Sequence, residues 1–374
     1  STPPDPTQLL FFAGNHGEDG VPGACQLWAS NGSAAGTRMV KDIRPGACAR
    51  PSGFAAFQGR VFFAASDDTH GEELWASDGT ADGTTMVVDL RPGPEGAYPS
   101  RLVRSGDWLY FLAVDDSGTI QLWRSDGTAE GSTQITETDW GDGPRWLVAS
   151  GGALFFSASL PGEGYRLWRS DGTAEGTKSI AGENWNGNLA DLTDLNGTLF
   201  FAAPDADHGR QLWKSDGTEK GTERVTTIAW DEPFGAPRGV VALERRVYFV
   251  AARDGEATRL WVSDGTAEGT QPATDDEYSL PWTLAAFEER LLFLNGGRLG
   301  LFDPEAGTGK YLTDTAWKPS PIPLGIVDGA ALFAGDSGEG YGRELWRTDG
   351  TQERTEMVDD LCPGACDGVW DDIS

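Results

Sequence analysis

The chain has 374 residues, with 29 basic against 58 acidic side chains and a formal net charge of −29. Such a charge excludes a protein that gains its affinity by neutralising nucleic-acid phosphates, and it argues against anionic membrane surfaces. No apolar run reaches the length of a membrane span, while 51 glycines and 21 prolines announce many tight turns.

Residues 1–8 are Pro-rich and polar and read as an N-terminal linker. From residue 9 to 374 one unit recurs, so the remainder reads as a single domain. Each unit opens its core with a short apolar run: Leu9–Ala13, Val61–Ala65, Leu109–Ala113, Leu154–Ala158, and the runs at Leu199, Val247, Leu291 and Ala331. About a dozen residues later comes a phrase whose clearest copy is Leu167-Trp168-Arg169-Ser170-Asp171-Gly172-Thr173-Ala174-Glu175-Gly176-Thr177. Further copies start at Leu27, Leu74, Leu122, Leu212, Leu260 and Leu345, with a degenerate one at Leu301-Phe302. Successive copies are 47, 48, 45, 45, 48, 41 and 44 residues apart.

A period of that size marks stacked or radial repeats. Short aromatic and β-branched runs bounded by Gly and Asp read as strands. Leu-Trp ends a third strand, and Asp-Gly opens a turn, because Asp bonds backbone N–H groups and Gly accepts φ > 0. Each unit is therefore four antiparallel strands a to d, and eight units predict an all-β, eight-bladed β-propeller. Trp at the end of strand c is expected to pack between blades. Blade 1 lacks a strand a at its start, so residues 368–373 are expected to supply it and close the ring.

Cys25 falls in a b–c loop, and Cys48, Cys362 and Cys366 fall in d–a loops on the same face. Two disulfides fit these positions: Cys25–Cys48 with Cys362–Cys366, or a ring-closing bond from Cys25 to Cys362 or Cys366. Either implies an oxidising compartment, hence a secreted, periplasmic or cell-surface protein.

The d–a loops offer candidate ligand contacts. Trp140, Trp185 and Trp230 each follow the repeat Trp by 17 residues, and Trp282 and Trp317 occupy shifted positions. Indoles in loops at a channel mouth suit stacking on sugars or cations, with Asp142, Arg145, Asn184, Asn186, Asn188, Asp231 and Glu232 as polar companions. The competing reading is that each indole caps the top of a blade. His16, His70 and His208 lie in units one, two and five and do not suggest one shared metal site. A single Asp per turn offers too few oxygens for calcium, so no cofactor is assigned and calcium is the one ion the acidic loops leave open.

The phrase resembles the ELWxxDGT repeat of a bacterial family, and the likeness runs through nearly the whole chain. His70-Gly71-Glu72-Glu73-Leu74-Trp75 and His208-Gly209-Arg210-Gln211-Leu212-Trp213 are similar to its His-Gly-x-Glu-Leu-Trp stretch. The resemblance implies a secreted or surface propeller and carries no catalytic signature. Fold, charge, cysteines and loop indoles together point to a monomeric binding or adhesion module that holds a glycan, peptide or partner protein, without membrane insertion. A propeller enzyme, either glycan-active or quinoprotein-like, and a bare scaffold are the rival readings. Removing residues 368–374 is expected to lower the melting temperature by many degrees, and an unchanged melting curve would count against a closed ring.

Overall fold

A computed structural model describes residues 8–369 apart from 16–24, 181–184, 186–188, 206, 232–234, 275–282, 315, 319 and 365. The expected linker therefore lies outside the described residues, save for Gln8. Thirty-one strands form eight antiparallel sheets in a ring, with no α-helix among the described residues. The chain is an eight-bladed β-propeller. In blade 2 the strands run outwards from the centre as β4 (Ser52–Phe57), β5 (Arg60–Asp67), β6 (Gly71–Ser77) and β7 (Thr85–Val88). Blades 3 to 8 repeat that order, starting from inner strands β8 (Ser100–Ser105), β12 (Asp142–Ser150), β16 (Ala190–Leu195), β20 (Arg238–Leu243), β24 (Thr283–Phe287) and β28 (Ile322–Val327).

Blade 1 contributes β1 (Leu10–Gly14), β2 (Gln26–Ser30) and β3 (Arg38–Lys41). Its inner edge is met by the C-terminal end of the chain. Gly14 pairs antiparallel with Val369, and the Asn15 N–H donates to the Gly368 carbonyl at 2.8 Å. Residues 370–374 of the expected closing strand lie outside the described residues.

The continuous apolar runs follow from burial on two sides. In β5, Val61, Phe63 and Ala65 face blade 1 while Phe62 faces blade 3. A strand with alternate side chains on two dry faces has no solvent side and reads as unbroken hydrophobic sequence. The repeat Trp faces the preceding blade: Trp75 joins the cluster with Phe11 and Leu27, and Trp213 the one with Phe155 and Leu167. It pairs across the ladder with the second Phe of strand b, as in Phe63↔Trp75 and Phe156↔Trp168. Phe156 and Trp168 lie nearly parallel, 6.0 Å apart. The Nε1–H of Trp123, Trp168, Trp213 and Trp261 donates to the strand-b carbonyl of Ala113, Ala158, Ala203 and Ala251, at 3.1–3.2 Å. In these four blades an indole thus fills the seam without stranding its donor.

Blade 7 corrects the sequence alignment. Phe293 pairs with Gly300, so Leu299-Gly300, not Leu301-Phe302, stands where Leu-Trp stands elsewhere. A Cβ on Gly300 would lie 2.3 Å from the Phe293 ring, which takes the missing indole's place, with Tyr311 against it at 5.9 Å.

The Ser-Asp-Gly-Thr turn is a closed hydrogen-bond circuit. In blade 4, Asp171 Oδ1 accepts from the Thr173 N–H (2.9 Å) and hydroxyl (2.7 Å), and the Thr173 hydroxyl accepts from the Gly176 N–H at 3.0 Å. Ser170 and Thr177 close the base through their hydroxyls at 2.6 Å. Gly172 has φ +88°, and Gly176 packs so tightly that a Cβ would lie 1.9 Å from Asp171 Oδ1. Gly176→Ala should therefore break the circuit and destabilise the protein by about 1–3 kcal/mol, read as a lower melting temperature. A melt matching the wild type would show that the second glycine is dispensable.

Candidate functional site

The loop indoles expected to form a stacking surface are inside the protein. Trp140, Trp185, Trp230 and Trp317 are between 3 and 7% exposed. Each packs on the repeat Trp of the next blade: Trp140 on Trp168 (5.0 Å), Trp185 on Trp213 (5.6 Å), Trp230 on Trp261 (5.0 Å) and Trp317 on Trp346 (4.5 Å). The first three contacts are edge-to-face. The indoles cap blades, which was the competing reading, and present no open face to a ligand. Trp282, Asn184, Asn186, Asn188 and Glu232 lie outside the described residues. Asp231 is exposed, and its N–H donates to the Ala252 carbonyl at 2.9 Å.

In blades 1, 2, 3, 5 and 8 the residue before Leu-Trp holds the following loop inward. Gln121 Oε1 accepts from Trp140 Nε1 (3.2 Å), the Thr136 hydroxyl (2.7 Å) and the Thr138 N–H (3.2 Å). Gln211 does the same for Trp230, Thr226 and Ile228. Gln26 accepts from the Ile43 N–H at 2.9 Å and donates to the Arg44 and Ala47 carbonyls. In blades 2 and 8 this residue is a glutamate. Glu73 accepts from the Leu90 and Ala97 N–H groups at 2.8 and 2.9 Å, and Glu344 from those of Leu361 and Gly368 at 2.7 and 2.9 Å. Glu344 thus grips the segment that closes blade 1. The sequence signal was there, as a polar residue at one fixed place in the phrase.

Burial pushes the Glu73 carboxyl up to about 7 and Glu344 up to about 8. The neighbouring charges of Asp89 and Asp360 add to this, and the amide donors oppose it. The Asp-Gly-Thr carboxylates behave oppositely. Hydrogen bonds from Thr80, Thr128, Thr173, Thr218, Thr266 and Thr351 hold Asp78, Asp126, Asp171, Asp216, Asp264 and Asp349 below the usual range.

The b–c loops are pinned locally. Asp67 and Asp205 accept from the backbone N–H and Nδ1 of His70 and His208, with ring distances of 2.8 and 2.7 Å. Burial alone would raise Asp205, but His208, the Asp207 N–H and Arg224 together lower it to about 2. Ligand-type atoms of Asp205, Asp207 and His208 lie within 4.8 Å of one another, with the Arg224 guanidinium bound to Asp205 beside the His208 ring. A guanidinium therefore already supplies the cation there. His70 sits in a different blade, and His16 lies outside the described residues.

A constellation the sequence did not flag lies on the inner strands. Near the start of β4, β8, β12, β16 and β20, the ladder with strand b slips by a bulge. There the backbone turns left-handed: Gly53 (φ +66°), Arg101 (+54°), Trp146 (+57°), Asp191 (+57°) and Gly239 (+62°). Glycine takes this conformation freely, whereas other residues pay about 1–2 kcal/mol each. Three consecutive blades nevertheless place Arg, Trp and Asp there. Arg101 lies over the Trp146 ring at 5.4 Å, and Asp191 accepts from the Gly239 N–H at 2.9 Å. Burial raises the Asp191 carboxyl, against the pull of that amide, Arg210 and Arg238. Arg145, expected as a polar contact, is exposed beside Trp146 on β12. It lies over Tyr165 at 5.5 Å and 3.8 Å from Asp142. Arg101, Trp146 and Asp191 therefore occupy equivalent places on neighbouring inner strands, with Arg145 beside Trp146. Arg145 was expected from the sequence; the signal for the other three was the glycine that alternates with them at the same strand position.

No protein-family model and no curated protein matches the chain. Among solved structures it is similar to a puromycin hydrolase mutant complexed with PGG, at 14% identity and TM-score 0.55 over 87% of this chain and 54% of that one. It is also similar to a prolyl endopeptidase (13%, TM-score 0.58, 82% of this chain and 49% of that one). An oligogalacturonate lyase in complex with manganese matches at 15% and TM-score 0.52, over 81% of this chain and 87% of that one. The chain spans about half the length of the peptidases it matches. At these identities the likeness is one of fold.

The titrating groups oppose one another across the pH scale. Stabilisation from Glu73 and Glu344 is complete below the ordinary glutamate value of 4.5 and is lost as pH rises through about 7 and 8. That from the turn aspartates is present above the ordinary aspartate value of 3.8 and is lost as pH falls through their lowered values. Glu344→Gln, which copies Gln121 and Gln211, should flatten the fall in melting temperature between about pH 5 and 8. An alkaline limb as steep as in the wild type would remove Glu344 from this account.

Proposed function

We propose that this propeller is a secreted or cell-surface binding module for a carboxylate-bearing glycan, held at the inner ring by Arg101, Arg145, Trp146 and Asp191. The observation that carries the reading is the left-handed backbone at Arg101, Trp146 and Asp191, at one position in three consecutive blades. Strained, non-glycine backbone of this kind gathers at ligand sites. A guanidinium lying over an indole keeps its N–H fork free for bidentate pairing with a carboxylate. Arg145 adds a second exposed cation next to it, and Asp191 and Tyr165 offer hydrogen-bonding partners for hydroxyls.

The two disulfides, Cys25–Cys48 and Cys362–Cys366, support an oxidising location. No helix among the described residues is long and apolar enough to cross a membrane. The resemblance to ELWxxDGT repeat proteins belongs to the same proposal.

Oligogalacturonate and a neutral glucan of equal length, titrated against intrinsic tryptophan fluorescence, test this reading. The acidic glycan should bind and the neutral one should not, with Arg101→Ala and Trp146→Ala each weakening binding about 10–100-fold. Equal binding of the two glycans, or variants that bind as wild type, would overturn it.

A further inference from the structure

The seam between blades 7 and 8 differs from the others. The inner strands β4, β8, β12, β16, β20 and β24 each pack beside the next, whereas β24 and β28 barely touch. Between them lies a cavity of about 220 Å³. Its walls combine small side chains (Ala285, Ala286 and Ala331) with Pro321 and Pro323, and Leu292, Leu299 and Phe333 are among its deeper lining. Ala285 and Ala331 both belong to the core of this seam, so their methyls face the gap. The lining carries almost no polar surface. Ile326 stands at its edge, 49% exposed, one of few large apolar side chains left open to solvent.

Proline fixes φ, so a wall containing Pro321 and Pro323 resists collapse into the gap. An apolar void of this kind excludes water and costs stability while empty. Among the described lining residues no polar side chain would anchor a hydroxyl or a charge, which disfavours a sugar or an ion there. A hydrocarbon gains by leaving water for such walls. An apolar cavity of about 150 Å³ is enough for benzene, so this one takes a single ring with a short substituent.

We propose that the cavity between blades 7 and 8 is a second binding site, for an aryl or branched-alkyl group of about one ring's size, entering from the inner ring past Ile326. This site lies away from Arg101, Trp146 and Asp191 and does not rest on the glycan reading.

Fluorobenzene is the probe, added to the full-length protein and read by methyl NMR and by fluorine line broadening. Saturable shifts should centre on the methyls of Leu292, Leu299, Ile326 and Ala331. Ala285→Leu and Ala331→Leu, which add carbons from opposite walls, should abolish the broadening and leave the melting temperature unchanged or higher. Trp146→Ala should leave the fluorobenzene response intact. Absence of a saturable response in the native protein, or shifts centred on any other seam, would overturn the proposal without any variant. Broadening that survives in either filled variant that folds would do the same.

Discussion

The ring depends on one contact, the indole at the end of strand c buried against the blade before it. A blade is a small sheet with two apolar faces, and neither can be left in water. Each repeat Trp removes about 150–250 Å² from solvent, and in blades 3, 4, 5, 6 and 8 its N–H finds a carbonyl on strand b of its own blade. The donor is therefore satisfied inside the blade, and the ring's flat face is left to seal the seam. Trp123, Trp168, Trp213 and Trp261 all follow this plan, with a phenylalanine stacked beneath as a spacer.

Two polar devices hold the ends of strand c in blades 2, 3, 5 and 8. On one side the Asp-Gly-Thr circuit fixes the hairpin to strand d. On the other, the Gln or Glu before Leu-Trp pulls the following loop down onto the next blade. Trp140 and Trp230 are drawn into this second device, and Trp185 and Trp317 pack on the next blade's Trp like them, so residues that look like ligand contacts are parts of the frame. With both ends of strand c committed, variation passes to the inner strand, where the backbone bulges and side-chain identity changes from blade to blade.

Much of the architecture was legible. The period and the alternation of Phe-Phe and Leu-Trp were enough for eight blades, because each blade buries the same positions and so repeats the same letters. The disulfides were narrowed to pairings that include the observed one. Blade 7 misled by two residues: the eye matched Phe302 to Trp, whereas the ladder matches Gly300, and only the register of Phe293 tells them apart. The loop indoles misled for a different reason. A tryptophan in a polar loop reads as exposed, whereas these four pack on the repeat Trp of the next blade, and the N–H groups of Trp140 and Trp230 reach Gln121 and Gln211, 19 residues away in sequence. The inner-ring residues Arg101, Trp146 and Asp191 passed unread because a left-handed backbone at a non-glycine residue shows only through the glycines, Gly53 and Gly239, that hold the same place in other blades.

Both covalent cross-links are short-range, spanning 23 and 4 residues. Neither joins the first blade to the last. Thiol reduction would slacken two surface loops yet leave the circle itself shut, and a pulling force on the two termini would be carried by the backbone pairing of Gly14 and Asn15 with Gly368 and Val369 and by the apolar seam behind it. The molecule is a hoop fastened by a buckle of weak bonds rather than by a rivet.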